Sequence, residues 1–184
     1  MRILPTRLAG AMLIEIEPVR DARGFFARTF CEREFAQHGL EIRFPQHSVS
    51  HTEKRGSLRG MHFQRGVAQE VKVVGCTRGA ILDVIVDLRP DSPTHAQWQA
   101  FELSADRRNR LYIPKGFAHG FQTLTDDVEV AYLISEFYAP GSGGGVRYDD
   151  PAFSISWPLP VAEISEKDLA WPDYDGRGIG DAAG

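Results

Sequence analysis

The stretch Arg78-Gly-Ala-Ile-Leu-Asp-Val-Ile-Val-Asp-Leu88 decides the fold class of this chain. After the Arg-Gly turn signal, Leu82, Val84, Val86 and Leu88 form one wholly apolar face, and Asp83, Ile85 and Asp87 form a mixed one. A period of two marks a strand, because successive side chains of an extended backbone point to opposite sides. Working outward, Val128-Glu-Val-Ala-Tyr-Leu-Ile134 places Val128, Val130, Tyr132 and Ile134 on one face, and Glu70-Val-Lys-Val-Val74 places Glu70, Lys72 and Val74 together. Between Met12 and Trp157 such runs alternate with turn residues at intervals of roughly 8–12 positions, the spacing of an all-β sandwich or barrel. One short N-terminal helix is expected over Cys31-Glu-Arg-Glu-Phe-Ala-Gln-His-Gly39, with Gly39 as its stop. Beyond Trp157-Pro158 the chain reads as an irregular C-terminal segment with a mobile tail from about residue 173, and Gly141-Ser-Gly-Gly-Gly145 reads as a mobile loop.

At 184 residues the chain suits one domain, taken as residues 1–184. Its hydrophobic share of 42% and charged share of 25% are those of ordinary globular proteins, which sets aside disordered, collagenous and coiled-coil classes. No apolar run approaches the ~20 residues that cross a bilayer, so no membrane partner and a cytoplasmic location are expected. Cys31 and Cys76 have no partner at metal or redox spacing, and no disulfide framework is expected. A formal charge of −4 supplies no basic field for nucleic acid, so an anionic ligand must be met by local Arg and Lys.

Pro114-Lys-Gly-Phe-Ala-His119, after the apolar run Leu111-Tyr-Ile113, resembles the second half of the cupin signature. The first half normally carries His-x-His, then Glu, then Gly, and with the later His it supplies four metal ligands. The matching stretch here is His62-Phe-Gln64, Glu70 and Gly79. Gln64 removes a nitrogen ligand, and Lys72, on the same strand face as Glu70, puts an ammonium beside any cation. The expectation is a cupin-type jelly-roll barrel whose metal site has been turned to proton chemistry, with no metal and no cofactor. A metal-dependent cupin using His62, Glu70 and His119 is the rival from another class, and a sugar-nucleotide binding module without turnover is a further one.

The chain resembles the dTDP-4-dehydrorhamnose 3,5-epimerase family along nearly its whole length. The matching segments include Asp21-Ala-Arg-Gly-Phe-Phe26, Gly56-Ser-Leu-Arg-Gly-Met-His-Phe-Gln64, Glu70-Val-Lys72, Asp83 to Arg89, Ser92-Pro-Thr94, Pro114 to Phe121, Tyr138-Ala-Pro140 and Ser165-Glu-Lys-Asp168. The resemblance implies an isomerase that inverts the carbons flanking the C4 ketone of a nucleotide-linked 4-keto-6-deoxy sugar. It also implies roles: His62 as base, Asp168 as its orienting partner, Lys72 as enolate stabiliser and Tyr132 as the acid on the opposite face. Arg23, Phe26, Gln46, Ser48, Arg59, His119 and Tyr138 would bind substrate, with His119 and Arg59 beside the sugar and Arg23 and Arg59 near the diphosphate. A homodimer is expected, since the family pairs and strand edges invite a second copy.

The residue chemistry fits these roles. A proton next to a ketone is far more weakly acidic than an imidazolium, so its removal needs a positive charge to stabilise the enolate. Inversion further requires a second proton carrier across the ring from the base. Alternatives stand beside each assignment. Tyr132 also fits an ordinary core aromatic, and either Asp83 or Asp87, opposite the apolar stripe, stands as an alternative to Asp168 for orienting His62. His38, His47, His51 and His95 read as surface or satisfied residues. A ketoisomerase of the same fold would use related enolate chemistry, and a mono-epimerase would use the same base. Two positions depart from the family pattern on its nucleotide side: Arg28 replaces a carboxylate and Ser48 replaces Asn, leaving the base open.

Overall fold

The computed structural model describes residues 1–179. The strands are β1 (Arg2–Pro5), β2 (Met12–Glu15), β3 (Val19–Asp21), β4 (Gly24–Phe26), β5 (Gln46–Thr52), β6 (Leu58–Gln64), β7 (Lys72–Arg78), β8 (Ala80–Asp87), β9 (Trp98–Ser104), β10 (Arg110–Ile113), β11 (Phe117–Thr123), β12 (Val128–Ile134) and β13 (Gly143–Gly145). The helices are α1 (Glu32–Gln37) and α2 (Glu166–Leu169). A six-stranded sheet in the order β1-β2-β10-β7-β12-β5 packs on a five-stranded one in the order β13-β6-β11-β8-β9, and β3 and β4 form a separate hairpin. This is the cupin-type jelly roll that the sequence leads one to expect.

Period-two patterning sorts side chains into three apolar layers. Between the sheets lie Val74, Cys76, Leu111, Ile113, Val128 and Val130 from one sheet, against Ile81, Ile85, Leu103, Phe117 and Phe121 from the other. The wholly apolar face of β8 points away from this interior. Val84, Val86 and Leu88 pack outward against Val146, Phe153, Ile155 and Ile179 of a C-terminal strap. The interior face of β8 is therefore the mixed one, and it carries Asp83 and Asp87, both fully buried, into the sandwich. On the outer face of the six-stranded sheet, Ile14, Val73 and Tyr112 are covered by Phe35 of α1. The helix ends as expected: Gly39 adopts φ +67°, and its N–H and that of Leu40 bond back to Ala36 and Phe35, a Schellman closure.

Three local expectations change. The strand expected from Glu70 starts at Lys72, with Glu70 and Val71 lying just before it. Gly143–Gly145 is not a loop but strand β13, paired with β6 at Gln64, Phe63 and His62. The residues from 173 onward are tied down as far as the described chain extends. Tyr174 donates its N–H to Asp150 Oδ2 at 2.5 Å and its hydroxyl meets His95 Nε2 at 3.1 Å, while the Ile179 N–H bonds the Leu88 carbonyl at 2.7 Å. The rest of the expected tail, residues 180–184, lies outside the described residues.

Candidate active site

A cavity of about 1010 Å³ opens between the two sheets where β5, β12 and β7 face β13, β6 and β11. That volume accommodates a ligand larger than a monosaccharide. Two strands of the five-stranded sheet bring His62 and His119 directly opposite each other in the β6–β11 register. Close approach of these strands depends on glycine. A Cβ on Gly60, whose φ is +138°, would lie 2.5 Å from the Gly120 Cα. Across the cavity, Lys72 and Tyr132 project from β7 and β12 of the six-stranded sheet.

His62 is held from the strap. A parallel bridge between Ser57 and Glu163, and a 2.8 Å bond from the Leu58 N–H to the Glu163 carbonyl, set the strap alongside β6. Ser165 then caps α2, accepting from the Asp168 N–H at 3.1 Å. This turns the Asp168 carboxylate towards β6, where Oδ1 lies 2.6 Å from His62 Nε2 and Oδ2 accepts the Gly60 N–H at 3.3 Å. Burial would raise the Asp168 pKa, but the His62 hydrogen bond and charge, with the Gly60 and Ser165 contacts, outweigh it and hold the carboxyl below its usual range. In the neutral form of the ring, an ionised Asp168 makes Nε2 the protonated nitrogen and leaves Nδ1 with a free lone pair.

The rival carboxylates are accounted for elsewhere. Asp83 Oδ2 meets His119 Nε2 at 2.8 Å, and its Oδ1 has no hydrogen-bond partner among the described residues. Complete burial pushes the Asp83 pKa up, opposed by the nearby His119 and Lys72. Asp87 is bound by Arg89, Ser92 and Thr94, the residues that follow it in the matched segments, and it holds that turn. Neither contacts His62; of the three carboxylates, Asp168 is the one bonded to it.

Lys72 Nζ pairs with Glu70 Oε1 at 2.9 Å, and Gln64 Nε2 bonds Glu70 Oε2 at 2.7 Å. Both oxygens of Glu70, the carboxylate at the cupin signature's metal-ligand position, are thus engaged by Lys72 and Gln64. Among the described residues no three His, Cys, Asp or Glu side chains are grouped to hold a metal. Tyr132 is a partly buried residue whose hydroxyl meets Ser50 Oγ at 3.1 Å, and desolvation of the phenol above all pushes its pKa up to about 12. It therefore keeps its proton at neutral pH. Arg59 is pinned by Thr52 Oγ1 at 2.9 Å and the His51 carbonyl at 3.0 Å, with its side chain lining the cavity.

Gln46, Ser48 and Tyr138 also line the cavity, the Tyr138 N–H bonding Gln46 Oε1 at 2.7 Å. Arg23 and Phe26 do not. Both sit on the β3–β4 hairpin, Arg23 at the turn and paired with Asp21, with exposures of 90% for the Arg23 side chain and 75% for Phe26. Arg28 is likewise away from the cavity and pairs with Glu34 at 3.4 Å, so its inverted charge does not reach this pocket within the chain. Sequence reasoning missed Ser50, Lys167 and Trp171 as lining residues. Ser50 was findable as the pocket-side residue of β5 two places from Ser48, whereas Lys167 and Trp171 lie in a segment without periodicity.

A cupin barrel with a free imidazole nitrogen on one wall and a lysine and a protonated phenol on the other defines the class: a cupin-type epimerase, an enzyme of the isomerase kind. The dTDP-4-dehydrorhamnose 3,5-epimerase family model matches residues 5–175, and the chain belongs to that family. A dTDP-4-dehydrorhamnose 3,5-epimerase of Methanothermobacter thermautotrophicus is 46% identical over 173 residues, 92% of each chain. The crystal structure of the Elizabethkingia anophelis dTDP-4-dehydrorhamnose 3,5-epimerase superimposes with TM-score 0.92 at 37% identity, over 95% of this chain and 96% of that one. The Bacillus anthracis enzyme of the same name, solved with TDP and PPi bound, superimposes with TM-score 0.91 at 38% identity, over 94% and 99%.

Proposed function

We propose that this epimerase inverts both C3 and C5 of a dTDP-linked 4-keto-6-deoxy sugar, taking dTDP-4-dehydro-6-deoxyglucose to dTDP-4-dehydrorhamnose without a metal or cofactor. The observation that carries the reading is the His62–Asp168 pair at 2.6 Å, with His62 on one sheet and Tyr132 on the other. His62 Nδ1 takes the proton from the carbon beside the ketone, and the C–H electrons move onto the C4 oxygen as an enolate. Lys72, with His119 from the facing sheet, stabilises that oxygen. Collapse of the enolate draws the Tyr132 hydroxyl proton to the same carbon from the opposite side, which inverts it. A phenol is a far stronger acid than a ketone's α-carbon, so this transfer runs downhill even from a raised pKa. The phenolate and the imidazolium then exchange protons with water to reset the site.

In the same reading Arg59 holds the diphosphate, and Gln46, Ser48 and Tyr138 form the nucleoside side. Arg23 and Phe26 come from a second copy. Among the described residues the hairpin pairs with no other strand, and Val19 and Phe26 on it are exposed. A homodimer that lays one copy's hairpin on the other's cavity gives these residues a function that one chain alone does not. The protein is taken as one domain acting in the cytoplasm. No helix among the described residues is long and apolar enough to cross a membrane.

The test is incubation with dTDP-4-dehydro-6-deoxyglucose in deuterated water. Deuterium at both C3 and C5, with the ketone still at C4, is the expected result. Label at one carbon alone makes the protein a mono-epimerase, and a migrated ketone makes it a ketoisomerase. Mixing an Arg23→Ala copy with a His62→Asn copy should restore part of the activity that each lacks. Absence of any recovery in a verified mixed dimer would overturn the shared site.

A further inference from the structure

Trp171 stands on the strap two positions beyond α2 and lines the cavity. Its ring meets His62 edge to face, with centroids 6.4 Å apart and planes at 68°. On another side it lies against the backbone of Gly145, where a Cβ would come 2.4 Å from the indole. Gly145 is the β13 residue paired with His62 in the β6 register. The Lys167 ammonium sits 5.6 Å from the ring centre. Indole Nε1 is buried with no hydrogen-bond partner among the described residues, so the ring supplies shape and cover, not a donor. Meanwhile the His62 side chain is 42% exposed although its Asp168 partner is 6% exposed. One hydrogen bond at Nε2 leaves such an imidazole free to pivot about that contact.

We propose that Trp171 is a positioning residue for His62: seated on the bare Gly145 backbone, its ring blocks the pivot and shields that edge of the imidazole from water. The proposal rests on the reading of His62 as the base. It also explains the glycine run. Gly144 lies against the Phe63 ring, 2.5 Å from where its Cβ would be, so β13 can pair with β6 only where both rings find bare backbone. Asp168 and Trp171 then act as two supports carried by one segment, the first by charge and the second by packing.

The test compares Trp171→Ala, Trp171→Phe and Gly145→Ala with the parent in the full chain, measuring kcat and KM by deuterium exchange, dTDP binding by calorimetry, and the thermal midpoint. Trp171→Ala should lower kcat by about 10- to 100-fold with KM within about threefold, the size of effect a small misplacement of a reacting group produces. Trp171→Phe should restore most of the loss, because it keeps a flat ring in contact with His62. Gly145→Ala should reproduce the loss through the ring alone, since Gly145 is not among the glycines with positive φ. It also carries the test if Trp171→Ala fails to fold. An unchanged kcat in a folded Trp171→Ala or Gly145→Ala protein overturns the proposal, as does a loss confined to KM, which would make Trp171 a substrate-binding wall. His62→Asn separates the two levels: if it leaves exchange at the parent rate, the base assignment has failed, whatever Trp171 does.

Discussion

Replacing Asp168 by Asn tests the orientation of the base, because the two side chains have the same shape and differ in what they can accept. The carboxylate presents two acceptors and both are used, Oδ1 by His62 Nε2 at 2.6 Å and Oδ2 by the Gly60 N–H at 3.3 Å. An amide has one acceptor. If its oxygen serves His62, its NH2 faces the Gly60 donor; if it serves Gly60, the NH2 faces Nε2 and drives the ring proton to Nδ1, where the base must be bare. Losing a charge-assisted hydrogen bond of about 1.5–3 kcal/mol corresponds to roughly 10- to 150-fold in rate. The wrong tautomer raises the loss towards ~10⁴, as it does in Ser-His-Asp triads. Exchange of solvent deuterium into C3 and C5 at saturating substrate, followed by NMR, should therefore show kcat down by about 10²- to 10⁴-fold. Asp83→Asn is the control. Among the described residues Asp83 uses only Oδ2, towards His119, so an amide oxygen can serve there. An Asp168→Asn protein within about threefold of the parent, or an Asp83→Asn protein that loses more, would refute the assignment of Asp168 to His62.

Tyr132→Phe should reduce inversion by about 10²-fold or more while dTDP binding, read by calorimetry, stays near the parent value. Lys72→Met should lower kcat by about 10²- to 10³-fold, with product formation followed by NMR, because the enolate loses its cation and Glu70 its partner. Asp83→Asn also has a stability signature. Because burial raises the folded pKa of Asp83, the folded state binds its proton more readily than the unfolded chain, and the parent loses stability as pH rises from the unfolded value through the folded one. The uncharged variant escapes that loss, so its thermal midpoint relative to the parent should be higher at pH 7 than in acid, and a gap that closes or reverses with rising pH contradicts this. Asp168 has the opposite sign. Its lowered pKa stabilises the fold above the ordinary carboxylate range and stops doing so as pH falls through the folded value, which the same scans on Asp168→Asn will show as a deficit confined to higher pH.

Much of this architecture is legible in the sequence because strand periodicity is a local property. Lys72, Val74 and Cys76 point inward and Val71 and Val73 outward, just as Val128, Val130 and Tyr132 share the interior. The same pattern cannot say which side of a strand becomes interior when both are buried. On β8 the apolar side met the strap and the side bearing aspartates met the core, so Asp83 was a candidate without a partner until the β8–β11 register brought His119 near it. Glycine-rich Gly143–Gly145 misled for a related reason. The bare backbone that reads as freedom is occupied by the rings of Phe63 and Trp171, which come from elsewhere in the chain. Asp168 was reached through family resemblance, and the Ser165 cap that aims it is visible only once α2 is seen. Arg23 and Phe26 lie outside the pocket that their family roles would give them, and no single-chain reasoning places them there.

His62 and His119 stand on one sheet, and Lys72 and Tyr132 on the other. The gap between donor and acceptor is thus set by the thickness of the hydrophobic filling, not by any loop at the mouth. Facing sheets sit about 10 Å apart at a distance their side chains dictate. A methyl group added or removed at Ile85, Val130 or Phe121, none of which takes part in proton transfer, changes that spacing and with it the reach from base to acid. In this enzyme the core works as a calliper, and its jaws are His62 and Tyr132.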